Sequence, residues 1–127
     1  MIKDFLIINF TGKNNFIGLK INNNFFTQKI QTKINNNEIL VDTIYQLIKK
    51  KNVKMDGKFS IIVNNGPGSF SAIRTSLSVA KGIKIACGAS IYGYKDFNLT
   101  EFTLKNIELL IKNNLLENKL INPVYIS

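Results

Sequence analysis

The stretch Asn64 to Ile85, NNGPGSFSAIRTSLSVAKGIKI, constrains the fold more than any other. It follows Phe59, Ile61, Ile62 and Val63, a run with the length and β-branched content of a buried strand. Gly66, Pro67 and Gly68 then predict a tight turn, with glycine supplying positive φ and proline fixing its own. Ser69 is placed to cap the helix that follows by accepting from an amide one turn in. Strand, glycine turn and capped helix form half of a βαβ unit, completed by the apolar run Ala89 to Tyr94 as the next strand.

The helix in this unit has three distinct faces. Ile73, Leu77 and Ala80, with Lys84 closing the row, form the stripe expected to lie on a sheet. Ser71, Thr75, Ser78 and Gly82 make a second stripe of small, uncharged residues. Arg74 and Lys81 share a third. Small residues allow another backbone to approach closely, either within the domain or from another chain.

The residues GPGSFSAIRTSLSVAKGI resemble the signature of the TsaB (YeaZ) family, approximately GPGSFTGLRIGLATAKGLA. Gly66, Pro67, Gly68, Ser69, Phe70, Arg74, Ala80, Lys81 and Gly82 fall in place, whereas Ser71 and Ala72 stand where the family usually has Thr and Gly. The resemblance implies an actin-like or ribonuclease H-like (ASKHA) α/β domain with a mixed five-stranded sheet and packed helices. It also implies a non-catalytic subunit that binds and activates the TsaD carbamoyltransferase in threonylcarbamoyladenosine modification of tRNA beside the anticodon. The TsaE ATPase is implied as a further partner. The small stripe then reads as a docking surface.

Composition narrows the chemistry. The chain has 127 residues and no histidine, so a Ser-His or Cys-His nucleophilic pair is excluded. One cysteine, Cys87, and eight scattered acids make a metal site built by this chain alone improbable, and neither metal nor cofactor is expected. Cys87 lies among Ile85, Ala86 and Gly88 and reads as a buried structural thiol. Ser69 superficially resembles a nucleophile elbow, but without a base partner it reads as a helix cap. Net charge is +9, and sixteen of the seventeen basic residues are lysine. Together with eighteen asparagines and twenty isoleucines, this matches an AT-rich coding sequence and equally suits an acidic or nucleic-acid partner. Contact with tRNA is expected mainly through the complex. The absence of a long apolar run or a cleavable signal pattern leads to the expectation of a cytoplasmic protein without a membrane span.

Taken in order, residues 3–10, 14–21 and 25–30 read as three strands in a meander, with a turn at Asn22–Asn24. The resembling family usually begins with a strand ending in Asp-Thr-Ser. Here Asn9, Phe10 and Thr11 stand in that place, and a neutral Asn9 weakens the case for nucleotide chemistry. Residues 35–51 read as a helix with Asn35 and Glu38 as a capping pair. Its apolar residues, including Val41 and Tyr45, span roughly 160°, wider than one sheet requires. This leaves a buried helix or a helix with one flank on a partner.

Residues 98–114 read as a final helix with Asn98 and Glu101 as its capping pair. Asn122, Pro123, Val124, Tyr125 and Ile126 resemble the family's C-terminal Pro-x-Tyr-Leu-Arg, with Ser127 where arginine is usual. The expected organisation is therefore an N-terminal ASKHA domain over 1–94, with 95–127 as a reduced remnant of a second domain. The expected docking surface comprises Val41 and Tyr45 from the first helix. From the second it takes Gly66, Pro67, Gly68, Ser69, Phe70, Ser71, Arg74, Thr75, Ser78, Lys81 and Gly82. Two alternatives stay open at this point, a homodimer through the same helices and a nucleotide-binding enzyme of the sugar-kinase and actin superfamily.

Overall fold

Phe5, Leu6, Ile7 and Ile8 are all buried, so side chains on both sides of this strand must meet apolar partners. The computed structural model describes residues 2–30, 37–118 and 125–126, and it places this strand at the centre of a sheet. Strand β1 (Phe5–Asn9) pairs antiparallel with β2 (Phe16–Ile21), which pairs antiparallel with β3 (Asn24–Lys29). On its other side β1 runs parallel to β4 (Ser60–Asn64), and β4 runs parallel to β6 (Ser90–Tyr94). The order β3-β2-β1-β4-β6 is the expected mixed five-stranded sheet.

The hairpin between β2 and β3 turns on two residues, Asn22 (φ 50°) and Asn23 (φ 67°). Asparagine accepts these left-handed angles, which match the twist of the flanking strands. Alternation along the strands then sorts side chains to two faces. Leu6, Ile8, Ile17, Leu19, Ile61 and Val63 face one way and form the larger core with helices α1 (Asn37–Lys50) and α2 (Phe70–Cys87). Phe5, Ile7, Ile62 and Tyr94 face the other way, where Ile107 and Leu110 of α3 (Leu104–Lys112) cover them. Thus α3 shares its core with the sheet.

Helix α2 begins as expected. Ser69 Oγ accepts from Ala72 N at 3.3 Å, and Gly88 (φ 73°) ends the helix with its amide bonded to the Lys84 carbonyl at 2.9 Å. Ile73, Leu77 and Ala80 lie on the sheet, while Lys84 is exposed. Asn35 of the expected α1 cap lies outside the described residues.

The final helix corrects the sequence reading. Asp96–Asn98 forms a short 3-10 turn, and α3 starts at Leu104 with Thr103 as its cap, accepting from Asn106 N at 3.2 Å. The sequence offers two capping residues in close succession. Starting at Thr103 leaves Leu99 and Phe102 in extended chain that packs on the second core, and directs Ile107 and Leu110 onto the sheet. Two further pairings have no counterpart in the sequence reading. A two-residue strand β5 (Gly68–Ser69) pairs parallel with β7 (Tyr125–Ile126). Gly93 and Glu117 exchange backbone hydrogen bonds of 2.8 Å along the outer edge of β6.

The peptide between Gly66 and Pro67 is cis, and Gly66 has φ 106°. Its N–H donates to Asn64 Oδ1 at 2.8 Å and its carbonyl accepts from Asp96 N at 2.7 Å, so the residue is held at both ends. A β-branched side chain is strongly disfavoured at this φ. Gly66→Val should therefore cost on the order of 1–3 kcal/mol and lower the thermal midpoint. An unchanged midpoint would contradict the role given to this turn.

Candidate functional site

The turn before α2 positions the helix through close packing. A Cβ on Gly68 would stand 2.9 Å from Ile73 Cδ1 and 3.0 Å from both Cβ and the carbonyl oxygen of Thr11. Only glycine lets the chain pass this close to β1's end. The Ser69 amide also donates to the Thr11 carbonyl at 3.0 Å. Gly66 and Gly68 are buried, and Pro67 and Ser69 are half-buried. Of the expected docking residues, these four hold α2 in place, whereas Phe70, Ser71, Arg74, Ser78, Lys81 and Gly82 are exposed along it. The Arg74 guanidinium sits over the Phe70 ring, 5.7 Å from its centroid. Thr75 departs from the expected stripe: it turns inward and is buried.

An open apolar groove of about 440 Å³ runs between α1 and α2. Ile44, Ile48, Val79 and Ile83 form its floor, Val41 and Tyr45 one rim, Ser78 and Gly82 the other. Val41 and Tyr45 are 49% and 57% exposed, so the wide apolar arc of α1 divides between the sheet and this groove. A Cβ placed on Gly82 would meet nothing within 4 Å. Packing inside the domain therefore does not demand the glycine. Cys87 is half-buried at the groove's end, in contrast to the buried thiol expected, and the residues before it, Lys84 to Ala86, are exposed. The sequence reading also missed Ile85, at 85% the most exposed large apolar side chain among the described residues. At 100° per residue it falls on the outer face with Arg74 and Lys81, so helical spacing could have revealed it.

A second cluster lies at the carboxyl ends of β1, β4 and β6. Asn64 Nδ2 donates to Asn9 Oδ1 at 2.7 Å and to Asp96 Oδ1 at 3.0 Å, and Tyr94 OH donates to Asn9 Oδ1 at 2.8 Å. Asn9 Nδ2 donates to the Asn14 carbonyl at 3.0 Å. Asp96, which the sequence reading did not single out, brings one carboxylate to this end, where Asn64 binds it. Ser69 Oγ is engaged as a cap. Among the described residues no group of three or more acids, cysteines or histidines is arranged to hold a metal ion. No helix among them is long and apolar enough to cross a membrane.

A family model described as TsaD, tRNA N6-adenosine threonylcarbamoyltransferase, matches residues 25–100, more than half of the chain. The chain belongs to the TsaD family. Within it the chain is TsaB/YeaZ-like. It is 38% identical over 58 residues to the tRNA threonylcarbamoyladenosine biosynthesis protein TsaB of Buchnera aphidicola subsp. Baizongia pistaciae, a match covering 44% of this chain and 26% of that protein. Its fold is similar to YeaZ from Pseudomonas aeruginosa, with TM-score 0.70 at 15% identity over 77% of this chain and 46% of that one. A second Pseudomonas aeruginosa structure, titled as an uncharacterized protein with similarity to peptidase YEAZ, is similar with the same TM-score and identity. The chain thus spans about a quarter of the TsaB relative and under half of the YeaZ structures. The TsaD-family match contains α1, the glycine turn and α2, and hence both sides of the groove.

In this TsaB/YeaZ-like chain Tyr94 is fully buried, and burial pushes its phenol well above the ordinary tyrosine value. The nearby Asp96 carboxylate pushes it further, with Asn64 opposing in part. The folded state thus disfavours the phenolate. The stability from Tyr94 is fully present below the unfolded value of about 10 and is lost as pH rises from there toward the raised folded value. An alkaline absorbance titration should show Tyr94 silent until the protein unfolds, and Tyr94→Phe should flatten the alkaline loss of stability. Ionisation of Tyr94 in the folded protein near the ordinary value would contradict the closed network.

Proposed function

We propose that this chain is a non-catalytic subunit in threonylcarbamoyladenosine modification of tRNA, where it binds and activates the TsaD carbamoyltransferase. The observation that carries this reading is the open apolar groove, whose α2 rim, Ser78 and Gly82, is too small to obstruct another helix. A partner laid along it would cover Val41 and Tyr45 and meet backbone at Gly82. Burying such apolar surface gains roughly 25 cal/mol per Å² before the costs of association. TsaE is a further partner in this reading. The chemistry of transfer belongs to TsaD, which fits a chain without histidine whose first strand ends in a neutral Asn9 bound to Asn64 and Tyr94. The same groove suits a second copy of the chain as a resting homodimer, and light scattering with and without TsaD separates the two.

Ser78→Arg tests the docking assignment. Ser78 is exposed on the groove's rim, so the variant should fold normally by circular dichroism. A long cation there needs space and a counter-charge that a close apolar contact lacks. Losing a central contact should cost about 2 kcal/mol, some thirtyfold in TsaD affinity by titration. Normal folding with unchanged TsaD affinity would refute the docking surface.

A further inference from the structure

We propose that the trough between β3 and the second half of α1 is a contact surface for single-stranded RNA. It opens on the flank of α1 opposite the groove described above and encloses about 980 Å³. Lys49, Lys50 and Lys51 line one end, and Lys54 follows in the next loop. The two ion pairs among the described residues engage other lysines, Lys20 with Glu108 and Lys95 with Glu117. The acid that lines the trough, Asp42, lies two turns before Lys49 along the helix. Among the described residues Lys49, Lys50 and Lys51 thus form no ion pair, and the Lys49 ammonium sits 5.8 Å from the Tyr45 ring centroid. Cations in a last helical turn complement the helix dipole, but that effect fades within one turn and does not account for Lys54.

Positive charge alone would suit any polyanion. The rest of the trough selects among them. Thr27, Gln28 and Gln46 line it with amide and hydroxyl groups that can donate and accept. Among the described residues strand β3 pairs only with β2, so its outer edge adds backbone donors and acceptors. Thr27, Gln28 and Gln46 are exposed, and polar groups of this kind suit unpaired bases, whose edges are available, more than a duplex, whose edges are not. An anionic membrane would call for exposed apolar side chains able to insert. Here Leu47 is buried, Phe25 and Phe26 are half-buried, and the Lys51 ammonium sits 3.9 Å from the Phe26 ring centroid. That contact also holds Lys51 at the trough's mouth, where a phosphate would meet it.

Fluorescence anisotropy with a labelled oligouridylate tests the surface in the intact chain. The variant K49Q/K50Q/K51Q is compared with K3Q/K13Q/K105Q, an equal charge change at exposed lysines elsewhere. At moderate salt the trough variant should bind at least about tenfold more weakly, and its slope of log affinity against log salt should fall by about 2, near 0.7 per lost phosphate contact. The control should lose much less. Thermal midpoints report folding, and if the triple variant is unstable the exposed pair K50Q/K54Q is held to the same comparison. Equal losses in both variants, no binding by the parent protein, or a loss confined to phosphatidylserine vesicles would each overturn the proposal.

Discussion

One buried amide, that of Asn64, ties together the parts on which everything else depends. Its Nδ2 reaches Asn9 at the end of β1 and Asp96 just beyond β6, while its Oδ1 receives the Gly66 amide. Three neighbouring strand ends and the glycine turn are thereby fixed by a single side chain with no exposure. Every polar contact it makes replaces one with water, and leaving any of these partners unmatched in the interior would cost about 1–3 kcal/mol. Since the turn sets where α2 starts, the same amide sets the direction of α2 and the width of the groove beside α1. At this end of the sheet the polar side chains bond one another beside a cleft of about 520 Å³ lined by Asn9, Thr11, Lys13 and Asp96, while the helical side presents an apolar groove. Structure has been concentrated in a scaffold that presents a face.

Much of this was legible in the sequence, for identifiable reasons. Runs such as Ile61–Val63 and Leu6–Ile8 announce strands buried on both sides, and Gly66 with Ser69 announces a turn and a cap. These are local signals, carried by residues a few positions apart. What escaped depends on distance along the chain. The pairing of Gly68–Ser69 with Tyr125–Ile126 is two residues long and leaves no periodic trace. Asp96 acquires its meaning only when folding brings it to Asn64. The start of α3 was misplaced because Asn98 and Thr103 are both good caps, and only the sheet's second face decides between them. Thr75 falls with Ser71 and Ser78 by spacing, yet at 100° per residue it is the member of that stripe nearest the buried arc of Val79 and Ala72, and it is buried with them.

Helix α1 has two working flanks. One meets α2 across an apolar groove, and the other carries lysines beside the open edge of β3. A helix whose apolar arc is too wide for one sheet gains from a second apolar neighbour, which explains Val41 and Tyr45 without any appeal to ancestry. The TsaB/YeaZ-like fold supplies the frame, and the groove supplies the reason to expect a partner on this side of it.

Hydrogen–deuterium exchange of the chain alone and mixed with TsaD bears most directly on the central claim. Slower exchange confined to residues 41–48 and 71–87 is the expected result, since a helix partner in the groove would suppress local opening on both its walls. Protection that appears instead around Asn9, Asn64 and Asp96, with the two helices unchanged, would place the partner at the carboxyl end of the sheet and contradict the docking face.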